Sequence, residues 1–164
     1  MKESSGAKER HAVTMTTFPL LSGFTVDGAR MLLEAGEVRK YEPGELVCKE
    51  GEPATSTSLV LTGKLHVFIE REGSHLDLRD CGPGTILGEI GVTGDVPRTA
   101  SVRASEASEV LQWGAQAFRT LLLRSGLLAE RIHQHSLRSL VEKEQALIAS
   151  VTQPQGGKAA KPPG

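Results

Sequence analysis

Between residues 37 and 113, turns that contain glycine or proline divide the chain into short apolar runs. The turns recur about every ten residues, a spacing typical of all-β sandwiches and barrels. Within the runs apolar and polar residues alternate, as in Glu37–Tyr41, which indicates strands with one buried face. The pattern therefore predicts an antiparallel sandwich or jelly roll.

Helical patterns lie on both sides of this β region. Asp27 precedes a short apolar helix that stops near Gly36. Two further helices are predicted over residues 114–123 and about 126–150. The fold class is therefore mainly β with flanking helices (α+β): short helices at the N-terminal end, and a helical segment at the C-terminal end.

Both ends of the chain lack a hydrophobic period. Residues 1–16 are polar, and residues 152–164 have low complexity with repeated glycine and proline. We expect both segments to be disordered tails, since neither can bury apolar surface. The predicted domain spans residues 17–151, with the β region at 37–113 and the C-terminal helices at 114–151.

The predicted 126–150 helix carries an a/d-like apolar stripe, interrupted by Glu144. Its members are Leu137, Leu140, Leu147 and Val151. Two heptads are too few for an autonomous coiled coil. The stripe can dock on the β domain or pair with a second subunit, and the sequence leaves both open.

The overall charge limits what the chain can bind. The net charge is −1, with 38% apolar and 24% charged residues. This balance gives no general attraction to nucleic acid or to an anionic membrane, so any anion site must be local. No apolar run approaches the roughly 20 residues of a membrane span, and the first residues lack a signal-peptide core. We expect a cytoplasmic protein.

The sequence shows no metal-ligand motif. Cys48 and Cys81 lack CxxC spacing and are expected to be reduced thiols in a sheet core. His133 and His135, two apart on a helix, point in different directions. His66 and His75 have no third histidine nearby, which argues against an enzyme of the cupin kind. We expect no metal and no enzyme activity.

One segment, residues 86–102, departs from the strand pattern. Gly88 and Gly91 allow a ligand to approach the backbone, and one helical turn here would aim several N–H groups at an anion. Arg98, which follows Pro97, can add a bidentate contact to two phosphate oxygens. Glu89 would not face a phosphate, but it can accept hydrogen bonds from a hydroxyl such as a ribose 2′-OH. A phosphodiester beside a ribose hydroxyl is what a 3′,5′-cyclic nucleotide presents.

A simpler alternative is that Glu89 and Arg98 pair with each other in a surface turn. The two residues taken alone favour that alternative. The loop as a whole, with its glycines and its predicted helical turn, favours an anion site.

These residues resemble the phosphate-binding cassette of the cyclic-nucleotide-binding domain family. The cassette stands here as Leu87-Gly88-Glu89-Ile90-Gly91-Val92, a four-residue spacer, and Pro97-Arg98-Thr99-Ala100-Ser101-Val102. Only the leading aromatic of the family pattern is changed, to Leu87. The resemblance covers about residues 18–141 and implies an antiparallel β-roll that binds cAMP or cGMP.

The resemblance also implies residue roles. Arg98 would bind the exocyclic phosphate oxygens, Glu89 the ribose 2′-OH, and backbone groups would complete the site. The implied ligand-binding set is Gly88, Glu89, Ile90, Gly91, Pro97, Arg98, Thr99 and Ala100. No cofactor is implied besides the cyclic nucleotide itself.

Two positions bear on detail. Many family members carry an acidic residue near the Ser/Thr run of residues 55–58, and we expect this departure to affect the surface rather than the ligand. Thr99 can offer a hydroxyl to the 2-amino group of guanine. It permits cGMP without excluding cAMP.

We expect a receptor that passes its signal to an unidentified protein effector through the 126–150 helix, with a homodimer as one possible form. Only 13 residues follow residue 151, too few for a helix-turn-helix, so DNA is not an expected partner. The alternative function is a ligand-free β-roll that acts as a protein-interaction scaffold.

Overall fold

The computed structural model describes residues 4–152. Five helices and a 3₁₀ turn surround eight strands. The elements are α1 (Ser5–Met15), the 3₁₀ turn (Pro19–Leu21), α2 (Val26–Glu34), β1 (Glu37–Tyr41), β2 (Leu46–Cys48), β3 (Ser56–Thr62), β4 (Leu65–Arg71), β5 (Ser74–Cys81), β6 (Ile86–Leu87), α3 (Glu89–Gly94), β7 (Ser101–Ala104), β8 (Ser108–Gly114), α4 (Ala115–Arg124) and α5 (Gly126–Thr152).

The strands form two four-stranded antiparallel sheets. The first sheet has the order β1-β8-β3-β6 and the second the order β2-β7-β4-β5. Consecutive strands β3 and β4 lie in different sheets. The chain crosses between the sheets again from β5 to β6, from β6 to β7 and from β7 to β8. This arrangement confirms the predicted antiparallel β fold with flanking helices.

Strand β3 lies at the centre of the molecule because both of its faces are buried. Leu59 and Leu61 belong to a core cluster that the helices cover, whereas Val60 belongs to a second cluster between the sheets. Burial of each such side chain stabilises the fold by about 1.5–3 kcal/mol. Trp113 fixes α2 to the first cluster by donating its indole N–H to the Leu32 carbonyl at 2.8 Å.

The expectation of a disordered tail over residues 1–16 is wrong for the described part of that segment. Residues 5–15 form α1, with Ser4 as its N-cap. Ala12 and Met15 are fully buried in the first core cluster. Arg30 of α2 donates to Glu9 of α1 at 2.9 Å. The helix escaped the sequence pattern because only two of its side chains are buried.

Helix α5 contacts the rest of the domain from its first turns as far as Lys143. Leu128 and Ile132 are buried, and Arg131 donates to the carbonyls of Pro19 and Ser22 at 3.0 and 2.9 Å. Farther along, most of the apolar stripe is solvent-exposed, including Leu137, Leu140 and Val151. The stripe therefore does not dock on the β domain in this structure. Thr152, placed in the predicted C-terminal tail, is the last residue of α5, and residues 153–164 lie outside the described residues.

Candidate functional site

A cavity of about 700 Å³, counting its open mouth, lies between the second sheet, the 86–102 segment and helix α5. Apolar side chains of both sheets line part of it, three from the second sheet and Leu87 from β6 of the first. These are Val67, Leu78, Leu87 and Val102. A lining that combines apolar side chains with a few polar groups is typical of a small-molecule site.

The 86–102 segment forms one wall of this cavity. Its lining residues are Gly88, Glu89, Ile90, Gly91, Arg98, Thr99 and Ala100. The predicted helical turn exists as α3, which begins at Glu89. The first N–H groups of such a turn have no partner within the helix, so they are free to meet an anion.

Two glycines make this wall possible. Gly88 has φ of +81°, and a Cβ atom there would lie 2.5 Å from Arg98 Nη1. A Cβ on Gly91 would lie 2.4 Å from the Ala54 Cβ. The left-handed backbone and the close contacts both require residues without side chains.

Two hydrogen bonds fix the position of the Arg98 side chain. Its Nη1 donates to the Gly88 carbonyl and its Nη2 to Ser56 Oγ, both at 3.2 Å. The guanidinium is thereby placed at the cavity wall. It is not paired with Glu89, which removes the simpler alternative of a surface ion pair between them.

Glu89 is a buried carboxylate with few hydrogen-bond donors from other residues. It is 2% exposed, and Ser136 Oγ of α5 donates to its Oε1 at 3.4 Å. Burial raises the pKa of Glu89, while a hydrogen bond from its own backbone N–H, and then the charges of Arg79 and Arg98, oppose this. A carboxylate can accept about four hydrogen bonds, so these donors leave part of its acceptor capacity unused.

His135 lies beside Glu89 without forming an ion pair. The two side chains approach to 3.7 Å, but burial lowers the pKa of His135. The imidazole is therefore neutral near pH 7, and its Nε2–H donates to the Ile86 carbonyl at 2.9 Å. Its role is to join α5 to strand β6.

Helix α5 covers the open side of the cavity. Lys143 donates to the Thr99 carbonyl at 2.7 Å, and burial lowers the pKa of this lysine. Arg79 of β5 donates to Ser139 Oγ at 3.2 Å and lies 3.8 Å from a Glu142 oxygen. Through these contacts, the helix touches the sheet and the cassette at the same time.

Seven of the eight sequence-predicted site residues line the cavity. The exception is Pro97, which is exposed and lies outside the lining. Sequence reasoning missed the polar residues that come from distant segments. These are Arg79 and Ser139, whereas Glu142 and Lys143, which the sequence already offers on the last helix as candidates for contacting the base, also line the cavity.

The expectation for residues 55–58 is wrong. Ser56 contacts Arg98 directly, and Thr57 and Ser58 are buried. Residues 56–58 therefore support the cassette, whereas Thr55 is exposed at the surface. The available signal was the departure, in this run, from the acidic residue that the family resemblance implies.

The fold and this cavity define a class of protein. A family model described as cyclic nucleotide-binding domain matches residues 38–125, more than half of the 164-residue chain. The chain belongs to the cyclic nucleotide-binding domain family, which confirms the resemblance drawn from the cassette.

Particular relatives support this membership. A cAMP-dependent protein kinase regulatory subunit from Pyricularia oryzae is 30% identical over 132 residues, which cover 80% of this chain and 33% of that protein. Acetyltransferase Pat from Mycolicibacterium smegmatis is 36% identical over 90 residues, covering 54% and 26% respectively. The Thermus thermophilus catabolite activator protein matches with a TM-score of 0.71 and 27% identity, over 79% of this chain and 62% of that one.

The chain spans 33% and 26% of the length of these two curated relatives. Their whole-protein activities therefore do not transfer with the domain. Across residues 4–152, no helix combines the length and the apolar character needed to cross a bilayer.

Proposed function

We propose that this chain is a receptor module for a 3′,5′-cyclic nucleotide, cAMP or cGMP. The observation that carries the proposal is that Glu89 and Arg98 line one cavity without pairing with each other. Arg98 would bind the exocyclic phosphate oxygens and Glu89 the ribose 2′-OH. Backbone groups of Gly88, Ile90 and Ala100 would complete the contact.

The burial of Glu89 favours a ligand over the scaffold alternative. A carboxylate that is 2% exposed loses its hydration, and its own backbone N–H together with one hydroxyl at 3.4 Å compensates only part of that loss. A scaffold without a ligand gains nothing from such a residue. A ribose hydroxyl would supply the missing donor.

Thr99 bears on the choice of base. Thr99 lines the cavity. Its hydroxyl would accept a hydrogen bond from the 2-amino group of guanine, which adenine lacks. One such bond contributes about 0.5–1.5 kcal/mol, roughly a factor of ten at most. The site would therefore accept both nucleotides, with a modest preference set by this residue.

Signalling would pass through α5. Ser136 and Lys143 of this helix contact Glu89 and Thr99, so a nucleotide must compete with contacts that hold the helix in place. Rearrangement of α5 would change how its exposed residues, Leu137, Leu140 and Val151, meet an effector protein or a second copy. That DNA is not a partner and that the chain is not an enzyme stay predictions.

Calorimetric titration with cAMP and with cGMP tests the receptor proposal. We expect Arg98→Ala to weaken binding by at least about 100-fold, because charge-assisted contacts to phosphate are lost. Arg39→Ala, on exposed β1 outside the cavity, is the matched control and should bind like the wild type. If the wild type binds neither nucleotide, or if Arg98→Ala binds as well as the wild type, the proposal fails and the scaffold alternative stands.

Hydrogen exchange tests the signalling step. Nucleotide should change the exchange of peptides covering residues 133–145 of α5, while peptides of α1, which does not line the cavity, should stay unchanged. Unchanged exchange in α5 at saturating nucleotide would contradict the proposed output. Light scattering with and without nucleotide then distinguishes a dimer from a monomer that binds an effector.

A further inference from the structure

The outer face of the second sheet, opposite the nucleotide cavity, carries a cluster of histidine and carboxylate side chains. Val67 of β4 lines the cavity, so its neighbours His66 and Phe68 lie on the other face. The antiparallel register sets Asp80 opposite His66 and Asp77 opposite Phe68. The cluster is therefore separate from the site already described.

A β-bulge creates this arrangement. The register shifts between Val67 and Phe68. Because Val67 pairs with Arg79, an uninterrupted ladder would set Leu78 opposite Phe68. The extra residue instead brings Asp77 to the outer face and leaves Leu78 and Arg79 in the cavity lining.

Three side chains converge on one point in this cluster. Asp77 Oδ1 lies 2.6 Å from His66 Nε2 and 2.6 Å from His75 Nε2. The three ligand atoms all lie within 4.8 Å of one another. Two imidazole nitrogens and a carboxylate oxygen are a ligand set that zinc uses in proteins.

The other nitrogen of each histidine is held by a further carboxylate. Asp80 Oδ1 lies 2.7 Å from His66 Nδ1, and Glu70 Oε1 lies 3.0 Å from His75 Nδ1. A carboxylate behind a ligating histidine is the usual outer partner at metal sites, because it fixes the ring and its tautomer. Here both rings are fixed with Nε2 directed at Asp77.

Packing restricts the two rings further. Phe68 lies between them, with ring centroids 6.0 Å from His66 and 5.2 Å from His75. Arg103 covers the same phenyl ring at 4.8 Å. Both imidazoles therefore have limited freedom before any ion binds, which lowers the entropy cost of binding.

We propose that His66, His75 and Asp77 bind a divalent transition metal ion, with Zn²⁺ as the best match and water in the remaining position. Nitrogen donors exclude Mg²⁺ and Ca²⁺ as preferred ions. Ligands about 2.0–2.1 Å from zinc stand about 3.4 Å apart in a tetrahedron, so each Nε2 must move less than about 1 Å from Asp77. The side chains of His66, His75 and Asp77 are 16%, 37% and 63% exposed, so water and ions reach them.

This site was missed in the sequence because the third ligand is a carboxylate. No third histidine lies near His66 and His75 in the sequence. Asp77 joins them only through the shifted register of β5. The proposal of a metal site is therefore the opposite of the expectation from the sequence, which was that the chain binds no metal.

Zinc titration of the tag-free full chain tests the proposal. We expect calorimetry to show one Zn²⁺ bound per chain. Loss of a hydrogen-bonding partner behind a metal ligand weakens binding by roughly 10–100-fold. Asp77→Asn and His75→Ala remove a ligand itself, so each should weaken binding at least as much. His133→Ala, an exposed histidine on α5, is the matched control and should bind like the wild type. Far-UV circular dichroism shows that each variant is folded, and Asp77→Asn keeps the side-chain shape if His75→Ala does not fold.

Cobalt gives a second readout. Co²⁺ should produce the visible absorption of a four-coordinate nitrogen and oxygen site in the wild type, and none in Asp77→Asn. Absence of Zn²⁺ binding, or binding that Asp77→Asn leaves unchanged, or an equal loss in His133→Ala, would overturn the proposal. None of these outcomes bears on the nucleotide site, which lies on the opposite face of the sheet.

Discussion

Glu89 in the cavity and Asp77 on the outer face of the second sheet are both carboxylates beside histidine, but their pKa values are shifted in opposite directions. Burial raises the pKa of Glu89, whereas hydrogen bonds from His66 and His75 lower the pKa of Asp77. His135 beside Glu89 has its pKa lowered by burial. His75 has its pKa raised, first by its hydrogen bond to Asp77 and then by Glu70.

The difference shows that proximity of a histidine to a carboxylate does not make an ion pair. In the cavity both groups are desolvated and approach only to 3.7 Å, so neither satisfies the other. On the outer face the side chains of His75 and Asp77 are exposed, so solvent stabilises their charges. His75 Nε2 lies 2.6 Å from Asp77 Oδ1. In the receptor proposal Glu89 accepts a hydrogen bond from the ligand, whereas Asp77 already accepts from two imidazole N–H groups. In the metal proposal an ion replaces those two protons.

The largest effect on the cavity should come from Gly88→Ala. A methyl group would force a left-handed residue that costs about 1–2 kcal/mol and would strike Arg98 Nη1. Nucleotide affinity should fall by at least about 100-fold, with a lower unfolding midpoint, since both Arg98 and α3 are displaced. Calorimetry and thermal unfolding measure the two effects.

Gly94→Ala is the matched control for this change. Gly94 lies at the end of the same helix, and its added Cβ would meet only the Val96 side chain at 3.7 Å, an ordinary contact. It should retain nucleotide affinity. Equal losses in the two variants would show that the cassette tolerates no change at all and that the geometry of Gly88 is not the cause.

Glu89→Gln tests whether the cavity carboxylate serves the ligand. We expect nucleotide affinity to fall by about 10–100-fold, because hydrogen bonds to a charged acceptor contribute roughly 1.5–3 kcal/mol. Asp77→Asn, in the contrasting region, should leave nucleotide affinity unchanged because it lies outside the cavity. The comparison breaks down if the two variants lose affinity equally in the same titration.

The pH dependence of stability should reveal the burial of Glu89 without any ligand. Because the folded pKa is raised, the stability linked to this group is fully present below its unfolded pKa, near 4.3, and is lost as pH rises through the folded value. Glu89→Gln should therefore match the wild type at low pH and exceed it near pH 7. Each unit of pKa difference corresponds to about 1.4 kcal/mol.

Denaturant unfolding of both proteins across this pH range measures the gap. A saturating concentration of nucleotide should stabilise the wild type more than Glu89→Gln at pH 7, because the ribose would donate to the ionised carboxylate. A gap that closes as pH rises would mean that the ionised carboxylate is well satisfied by the protein. That result would remove the contrast with Asp77.

How far the sequence predicted these two regions depends on how their residues are distributed. The cassette from Gly88 to Ala100 is one contiguous segment. The glycines of its turn and both charged residues, Glu89 and Arg98, can therefore be recognised together in the sequence. Ser56 and Lys143 reach the same site from segments more than 40 residues away, and only packing brings them there. The strands were predictable because glycine and proline turns mark their ends.

The outer cluster and helix α1 escaped prediction for physical reasons. Asp77 reaches His66 through a bulge, and local propensity does not fix the position of an extra residue in a strand. Helix α1 is held by two buried side chains and by the pair between Glu9 and Arg30. Its stability comes from tertiary contacts rather than from its own periodicity.

The smallest effect should come from Ser136→Ala, which removes the hydroxyl that donates to Glu89 from α5. A 3.4 Å contact is weak, and in the receptor proposal it competes with the ribose for the same oxygen. We expect nucleotide to bind about two- to threefold more tightly, consistent with a loss of roughly 0.5 kcal/mol of competing interaction. Ser150→Ala, whose hydroxyl bonds only within α5, is the control. Weaker binding in Ser136→Ala would instead assign Ser136 to the support of the ionised carboxylate, and the cavity would then resemble the outer cluster more than we propose.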